Sequence, residues 1–356
     1  MALLLFVQAA YLFSEQAPVI FAEGGFRPTS PTAWARVKGC FASMQRVFSA
    51  QEFGGWSKVN KTFFGDGGIW DRLFATTRSS AMCELLALNA NTPTDMGFSF
   101  RGLSRRGGAA GEHADGWGLA SFTPDGQGLT LLREEAPAAF SALADQLADR
   151  SPKALVSIAH IRKATQGVVA LENCHPFSRR WCGQTWVFAH NGNLQGNIPL
   201  GDRYRPFGST DSEAAFCWIL WQLDQAAVDP LDRSALFDQL HLCAAELAER
   251  GTFNALISNG EWLFVTATSR LHWLTRRAPF RSATLADPPL QVDFAPLTSA
   301  SDVVSILSTE PLTTDEHWQA FLPGESLLFC AGEVIRRDRH AIRPVPLSDH
   351  ALSSTV

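Results

Sequence analysis

From residue 83 onward, short apolar runs suited to buried strands and longer stretches of helical spacing fall into groups instead of alternating. That grouping restricts the fold more than any other feature of the chain. Strict strand–helix alternation points to a doubly wound parallel sheet, whereas grouped elements point to α+β layers. Residues 84–89, 154–160 and 185–190 read as buried strands, and residues 117–122 and 129–132 read as a hairpin across Pro124-Asp125-Gly126. Helical spacing covers residues 94–105, with Thr94 as cap and Gly107-Gly108 as stop, and also 138–149, 211–223 and 236–249. Further short strands are expected at 255–257, 262–267, 303–307 and 326–330. Residues 276–301, rich in Pro and small side chains, read as a long surface loop.

Residues 1–82 are of a different kind. They hold eight basic and five acidic residues, a balance of +3, and the whole-chain charge of -5 leaves -8 for residues 83–356. They are dense in Phe and Gly, as in Phe63-Phe64-Gly65-Asp66-Gly67-Gly68, and show no sustained period of either kind. The segment reads as a leader, a removed pro-segment or an over-extended start ahead of Met82. The expected organisation is an extension at 1–82, one domain at 83–343 and a C-terminal tail at 344–356. The apolar opening at residues 2–13 is too short to span a bilayer, and no Lys or Arg precedes Arg27 to make a signal peptide. No basic run suggests a nucleic acid or an anionic membrane as partner. Seven cysteines without a C-x-x-C pair fit reduced thiols in the cytoplasm better than a disulfide framework.

Chemistry is concentrated at the ends of the apolar runs. Cys83 follows Met82 and opens the first strand. A thiol with an ordinary pKa of about 8.5 needs a base to become a strong nucleophile. A free α-amine, of pKa about 7.7–8.0, can serve if the cysteine is the first residue. Taken singly, Cys83 is as well read as a buried strand cysteine. Arg101-Gly102 and Asp115-Gly116-Trp117-Gly118 flank the turn Gly107-Gly108-Ala109-Ala110-Gly111, which suits a pocket wall or an ordinary loop and lacks the Gly-Lys-Ser/Thr of a phosphate loop. Arg162 lies just past the strand at 154–160, placed for bidentate binding of a carboxylate or for a surface ion pair. Asn191 and Gly192, in His190-Asn191-Gly192, offer a side-chain amide and a backbone N–H to one oxygen, or else an Asn-Gly turn. Asp211, in Gly208-Ser209-Thr210-Asp211, opens a helix as an anion for an ammonium group or as part of a cap. Together these supply a thiol, a cation for a carboxylate, two donors for an oxyanion and an anion for an ammonium. Those are the demands of L-glutamine attacked at its γ-amide.

In Met82-Cys83-Glu84-Leu85-Leu86, Arg101-Gly102, Asp115-Gly116-Trp117-Gly118, His160-Ile161-Arg162, Glu172-Asn173-Cys174-His175-Pro176-Phe177, His190-Asn191-Gly192 and Thr210-Asp211-Ser212-Glu213, the sequence resembles the class-II glutamine amidotransferases. These are a branch of the N-terminal-nucleophile hydrolases, and the stand-alone YafJ-type members are the most similar. The resemblance runs from Cys83 to about residue 343. It implies a four-layer α/β/β/α sandwich, with Cys83 as nucleophile, its own α-amine as base, and Asn191 and Gly192 at the oxyanion. It further implies that Arg162 holds the substrate α-carboxylate, that Asp211 holds the α-ammonium and that Thr165 binds substrate. No cofactor or metal is called for. The expected reaction is hydrolysis of the glutamine γ-amide through a γ-glutamyl thioester, with ammonia passed to an unknown acceptor or to a separate synthase subunit.

Two features depart from the family pattern. Where many synthase-linked relatives carry Trp-Ala-Thr-His-Gly, this chain has Lys163-Ala164-Thr165-Gln166-Gly167, so the side chains at 163 and 166 shape a different pocket edge. Nothing after residue 343 has the length of an acceptor-binding domain. The competing readings are cleavage of another γ-glutamyl small molecule, a cysteine protease using His160, His175 or His190 as base, a zinc site drawn from His113, His160, His175 or Cys174, and a non-catalytic γ-glutamyl-binding module. For the three histidines the simpler expectation is a hydrogen bond to backbone. No pair has metal-ligand spacing.

Overall fold

The computed structural model describes residues 19–22, 25–28, 83–164 and 167–341. The chain divides between Ser80 and Ala81 into two units. In the first, β1 (Val19–Ala22) and β2 (Gly25–Pro28) pair antiparallel. The rest of the expected 1–82 extension, the 344–356 tail and the expected substrate-binding residue Thr165 lie outside the described residues.

Among the described residues, the second unit holds two large antiparallel sheets and one small hairpin. One is built from β3 (Glu84–Thr94), β4 (Trp117–Phe122), β5 (Leu129–Glu134), β6 (Ala154–Ile161), β11 (His272–Arg277), β14 (Val303–Ser308) and β15 (Gln319–Ala320), in the order β15-β11-β14-β3-β6-β4-β5. The other contains β7 (Phe177–Trp181), β8 (Gln184–Leu194), β9 (Gly251–Ser258), β10 (Trp262–Ala267), β16 (Glu325–Cys330) and β17 (Glu333–Arg339), in the order β17-β16-β10-β9-β8-β7. The strands that neighbour the site, β3, β6, β8 and β9, lie inside their sheets.

Side-chain alternation along each strand produces the layers. Leu85 and Ala87 of β3 pack with Val187 and Ala189 of β8, Leu256 of β9 and Val265 of β10 in the core between the sheets. Leu86 and Leu88 point the opposite way, into a core with Phe100 and Leu103 of α1 (Gly97–Arg106) and Leu147 of α2 (Ala142–Asp149). Trp186 and Phe188 of β8 likewise turn outward, toward Phe216 and Leu220 of α3 (Asp211–Gln225) and Leu240 of α4 (Arg233–Ala248). Both faces of the central strands are covered, which is why they read as unbroken apolar runs. The order of layers is helix, sheet, sheet, helix, as the sequence led us to expect.

Several boundaries differ from expectation. The first helix begins at Gly97, not Thr94. Thr94 stays in β3, and the turn is entered through Asp95, whose Oδ1 accepts from Gly97 N–H at 3.2 Å. The expected helix at 138–149 breaks at Ser141 into a single 3-10 turn (Ala138–Phe140) and α2, because the Ser141 hydroxyl caps α2 by accepting from Ala144 N–H at 3.0 Å. The stretch 276–301 is not a plain loop. It ends β11, forms a hairpin of β12 (Ser282–Thr284) and β13 (Gln291–Asp293), and closes on a 3-10 turn (Ala295–Leu297). Its strands of three residues are too short to show a period. Among the described residues, no helix is long and apolar enough to cross a membrane.

Candidate active site

Register explains why the chemically distinctive residues meet. β3 pairs with β6 so that Glu84 faces Ile161 and Leu85 faces His160. Cys83, the residue before β3, therefore lies beside the residues that follow β6. Its Sγ is 3.2 Å from the N–H of Lys163, which donates to it, and 3.3 Å from the Lys163 carbonyl, to which it donates. The thiol is buried, and burial pushes its pKa up to about 11 against the opposing pull of the Lys163 backbone bond and the Arg162 charge. The Asp211 carboxylate lies near enough to raise it further.

Arg162 is almost wholly buried, at 2% exposure, an unusual place for a guanidinium unless it serves a polar site. Its backbone N–H donates to Gly116 O at 2.8 Å, and its Nη1 and Nη2 lie 3.4 Å from the carbonyls of Asp115 and Gly167. The Asp115 carboxylate accepts from Ala164 N–H at 2.8 Å, holding the turn just beyond it. The Asp-Gly-Trp-Gly stretch thus forms the wall behind Arg162, as its glycines suggested. Gly116 has φ +121°, and a Cβ there would come within 2.5 Å of Cys174 Sγ. The glycine-rich turn reaches the rim through Glu112, which pairs with Lys163 Nζ at 2.9 Å.

Asn191 and Gly192 sit in β8, opposite Asn254 and Phe253 of β9. They are strand residues rather than a turn. Gly192 is required sterically, because a Cβ would lie 1.8 Å from Thr252 O and 2.5 Å from His190 Nε2. Gly192→Ala must push β8 from β9. We expect a loss of about 1–3 kcal/mol or more, read as a lower melting temperature, and an unchanged melting temperature would contradict this close approach. His190 fixes the neighbourhood by donating from Nε2 to Thr252 O at 3.1 Å and placing Nδ1 2.8 Å from Ser212 Oγ at the start of α3. Asp211, first residue of α3, accepts from Leu194 N–H at 2.7 Å, while Thr210 caps the helix through Glu213 N–H. The capping role thus falls to Thr210.

Arg162 and Asp211 lie near enough to Cys83 to act on its thiol, and Asn191 is linked to the strand that Cys83 opens. Asn191 Nδ2 lies 3.3 Å from Thr309 Oγ1, which in turn accepts from Leu85 N–H at 2.9 Å, two residues beyond Cys83.

The histidines divide. His190 bonds to backbone, as the sequence led us to expect. His175 does not: its ring stacks between His160 and Phe177 at centroid distances of 4.1 and 4.4 Å, and no hydrogen bond reaches its ring nitrogens among the described residues. Burial is the first cause holding His175 well below the usual imidazole range and His160 down at about 3. Both are neutral at physiological pH. The described hydrogen-bond partners of the Cys83 thiol are backbone groups of Lys163, not an imidazole. No group of three or more His, Cys, Asp or Glu is placed to hold a metal among the described residues.

Three supporting residues escaped sequence reasoning. Asn173 bridges two site loops, accepting from Ser209 N–H at 2.8 Å and donating to Val168 O at 3.0 Å. Arg106 anchors Glu84, the neighbour of Cys83, at 3.2 Å and also binds the carbonyls of Glu310 and Pro311. Thr309 carries no sequence signal, because the partners of its hydroxyl, Leu85 and Asn191, are more than a hundred residues away. Asn173 lies in a quoted motif, so its presence was visible although its role was not.

A four-layer sandwich with a cysteine at the head of an inner strand is the architecture of the N-terminal-nucleophile hydrolases. The family model described as "Glutamine amidotransferases class-II" matches residues 82–351, and the chain belongs to that family. It is 45% identical over 255 residues to "Putative glutamine amidotransferase YafJ" of Escherichia coli (strain K12), covering 71% of this chain and 99% of that protein. It is also 41% identical over 280 residues to a "Putative glutamine amidotransferase" of Haemophilus influenzae, covering 77% of this chain and 95% of that one. The crystal structure of a "predicted glutamine amidotransferase" from Pseudomonas aeruginosa superposes with a TM-score of 0.58 at 40% identity, over 71% of this chain and all of that one.

Proposed function

We propose that the chain, once Cys83 is its first residue, hydrolyses the γ-amide of L-glutamine and releases ammonia and glutamate. The observation that supports this reading is the charge of Arg162 and Asp211 acting on the Cys83 thiol, with Asn191 linked through Thr309 to the strand that Cys83 opens. Cys83 Sγ attacks the γ-carbonyl carbon while its proton passes to the α-amine. A C–S bond forms, and the carbonyl π electrons move to oxygen. The amide N–H of Gly192 and the side-chain amide of Asn191 receive that oxyanion. The protonated α-amine then delivers its proton to the leaving nitrogen, the C–N bond breaks and ammonia departs. Water attacks the γ-glutamyl carbonyl carbon, a C–O bond forms and the C–S bond breaks, one water proton returns through the amine to sulfur, and glutamate leaves.

The two ends of the substrate are held by opposite charges. Arg162 takes the α-carboxylate and Asp211 the α-ammonium, and Thr165 is a further residue proposed to bind substrate. Ammonia release is the activity to assay, in coupled form with glutamate, on a chain beginning at Cys83. No release from glutamine, together with no labelling of Cys83 by the glutamine analogue 6-diazo-5-oxo-L-norleucine, would defeat the proposal. Arg162→Lys keeps a charge but removes the planar fork. We expect KM for glutamine to rise about 10- to 100-fold, since hydrogen bonds to charged groups contribute about 1.5–3 kcal/mol, with a smaller change in kcat. A KM equal to the parent's would remove Arg162 from the carboxylate site.

A further inference from the structure

Thr309 follows β14 and is 5% exposed. It grips the strand that carries the nucleophile at two points. Its N–H donates to Leu85 O at 3.2 Å, and its Oγ1 accepts from Leu85 N–H at 2.9 Å. From behind, His272 Nδ1 lies 2.9 Å from the Thr309 carbonyl. The same hydroxyl reaches across to the other sheet, where the Asn191 carboxamide lies with Nδ2 at 3.3 Å. One hydroxyl therefore links the strand opened by Cys83 to the side chain proposed as an oxyanion donor.

The hydrogen-bond balance at this link is informative. With Nδ2 turned to Thr309, Asn191 Oδ1 is buried and has no partner among the described residues. A hydroxyl offers one proton and two lone pairs. Leu85 N–H occupies one lone pair, and no described acceptor takes the Thr309 proton. A half-turn of the carboxamide exchanges its oxygen and nitrogen in the same two positions and satisfies both orphans. Thr309 Oγ1–H then donates to Asn191 Oδ1, and the –NH2 group becomes the one without a protein partner. A held donor that stays unsatisfied until negative charge develops on the substrate is what oxyanion stabilisation requires.

Resting on the function proposed above, we infer that Thr309 is a positioning residue: its hydroxyl sets the Asn191 amide so that the –NH2 group faces the reacting carbonyl, and ties that amide to the strand bearing Cys83. It touches no reacting atom and works through Asn191.

The test is a double-mutant cycle on the chain beginning at Cys83, with kcat and KM for glutamine measured for the parent, Thr309→Val, Thr309→Ser, Asn191→Ala and the Thr309→Val/Asn191→Ala pair. Valine keeps the volume and removes the hydroxyl, so kcat should fall about 10- to 100-fold, less than or equal to the loss of a whole oxyanion donor, with KM nearly unchanged. Serine should restore most of the activity. In the Asn191→Ala background, the valine change should have no further effect on kcat, since residues acting as one unit are non-additive. If the valine variant does not fold, Thr309→Ala in the same cycle removes the hydroxyl without adding bulk. Parent-like kcat in Thr309→Val, or an equal loss in both backgrounds, would overturn the role of Thr309 and leave the proposed function standing. An inactive parent that 6-diazo-5-oxo-L-norleucine also fails to label would defeat both.

Discussion

Replacing Cys83 with Ala in a chain that begins at residue 83 should lower glutamine turnover by at least about 10⁴-fold, as removal of a covalent nucleophile does elsewhere. The substitution removes one sulfur from a buried position whose backbone stays held by the β3–β6 register. The fold should therefore survive, and so should glutamine binding, because Arg162 and Asp211, the residues proposed to hold the two ends of the substrate, are untouched. Calorimetric titration with glutamine measures that affinity, and an ammonia assay measures the turnover. Retained affinity with lost turnover is the result expected of an enzyme. Retained turnover would transfer the nucleophilic role to another group. A parent that binds glutamine without turning it over, with the same affinity in Cys83→Ala, would identify a binding module for which Cys83 is only a core residue.

The second large effect concerns the N-terminus. With Met82 still attached, Cys83 nitrogen is an amide and has no basic lone pair. Burial holds the thiol at about 11, so at neutral pH only roughly one molecule in ten thousand carries a thiolate. The chain with residues 1–82 intact should therefore be inactive, and the chain starting at Cys83 active. Mass spectrometry of the active protein should find Cys83 as its first residue. The pH dependence supplies an independent check. An α-amine of pKa about 7.7–8.0 is a base only above that range, so kcat/KM should climb through it and then level off. A thiol titrating unaided would keep the rate climbing toward pH 11. An active chain that still carries Met82, or a profile without the limb near 8, would remove the amine from the mechanism.

Much of the site was legible because its residues fall in short contiguous motifs at strand ends. Arg162 after β6, Asn191 and Gly192 in β8 and Asp211 at the start of α3 each advertise themselves by an unusual residue next to an apolar run. What separates such a residue from an ordinary turn or cap is its company, and company is set by register. The reading of Asn191-Gly192 as a possible turn shows the limit. The pair lies within β8, and Gly192 is needed because Thr252 O and His190 Nε2 leave no room for a Cβ. The histidines show it again, since His190 bonds to backbone whereas His175 is packed among rings.

The sequence by itself determined the layered α+β class, the family and the residue types of the candidate site, because short apolar runs, helical spacing and clustered motifs are local properties of the chain. Only the tertiary structure decided the boundaries set by the Asp95 side chain in its turn and the Ser141 cap, the small strands after β11, and the supporting set of Asn173, Arg106 and Thr309. Those outcomes depend on single hydrogen bonds and on partners far away in the chain. Leu85 and Thr309 meet only because β3 and β14 are neighbours in one sheet, and Thr309 meets Asn191 only because the two sheets stack face to face.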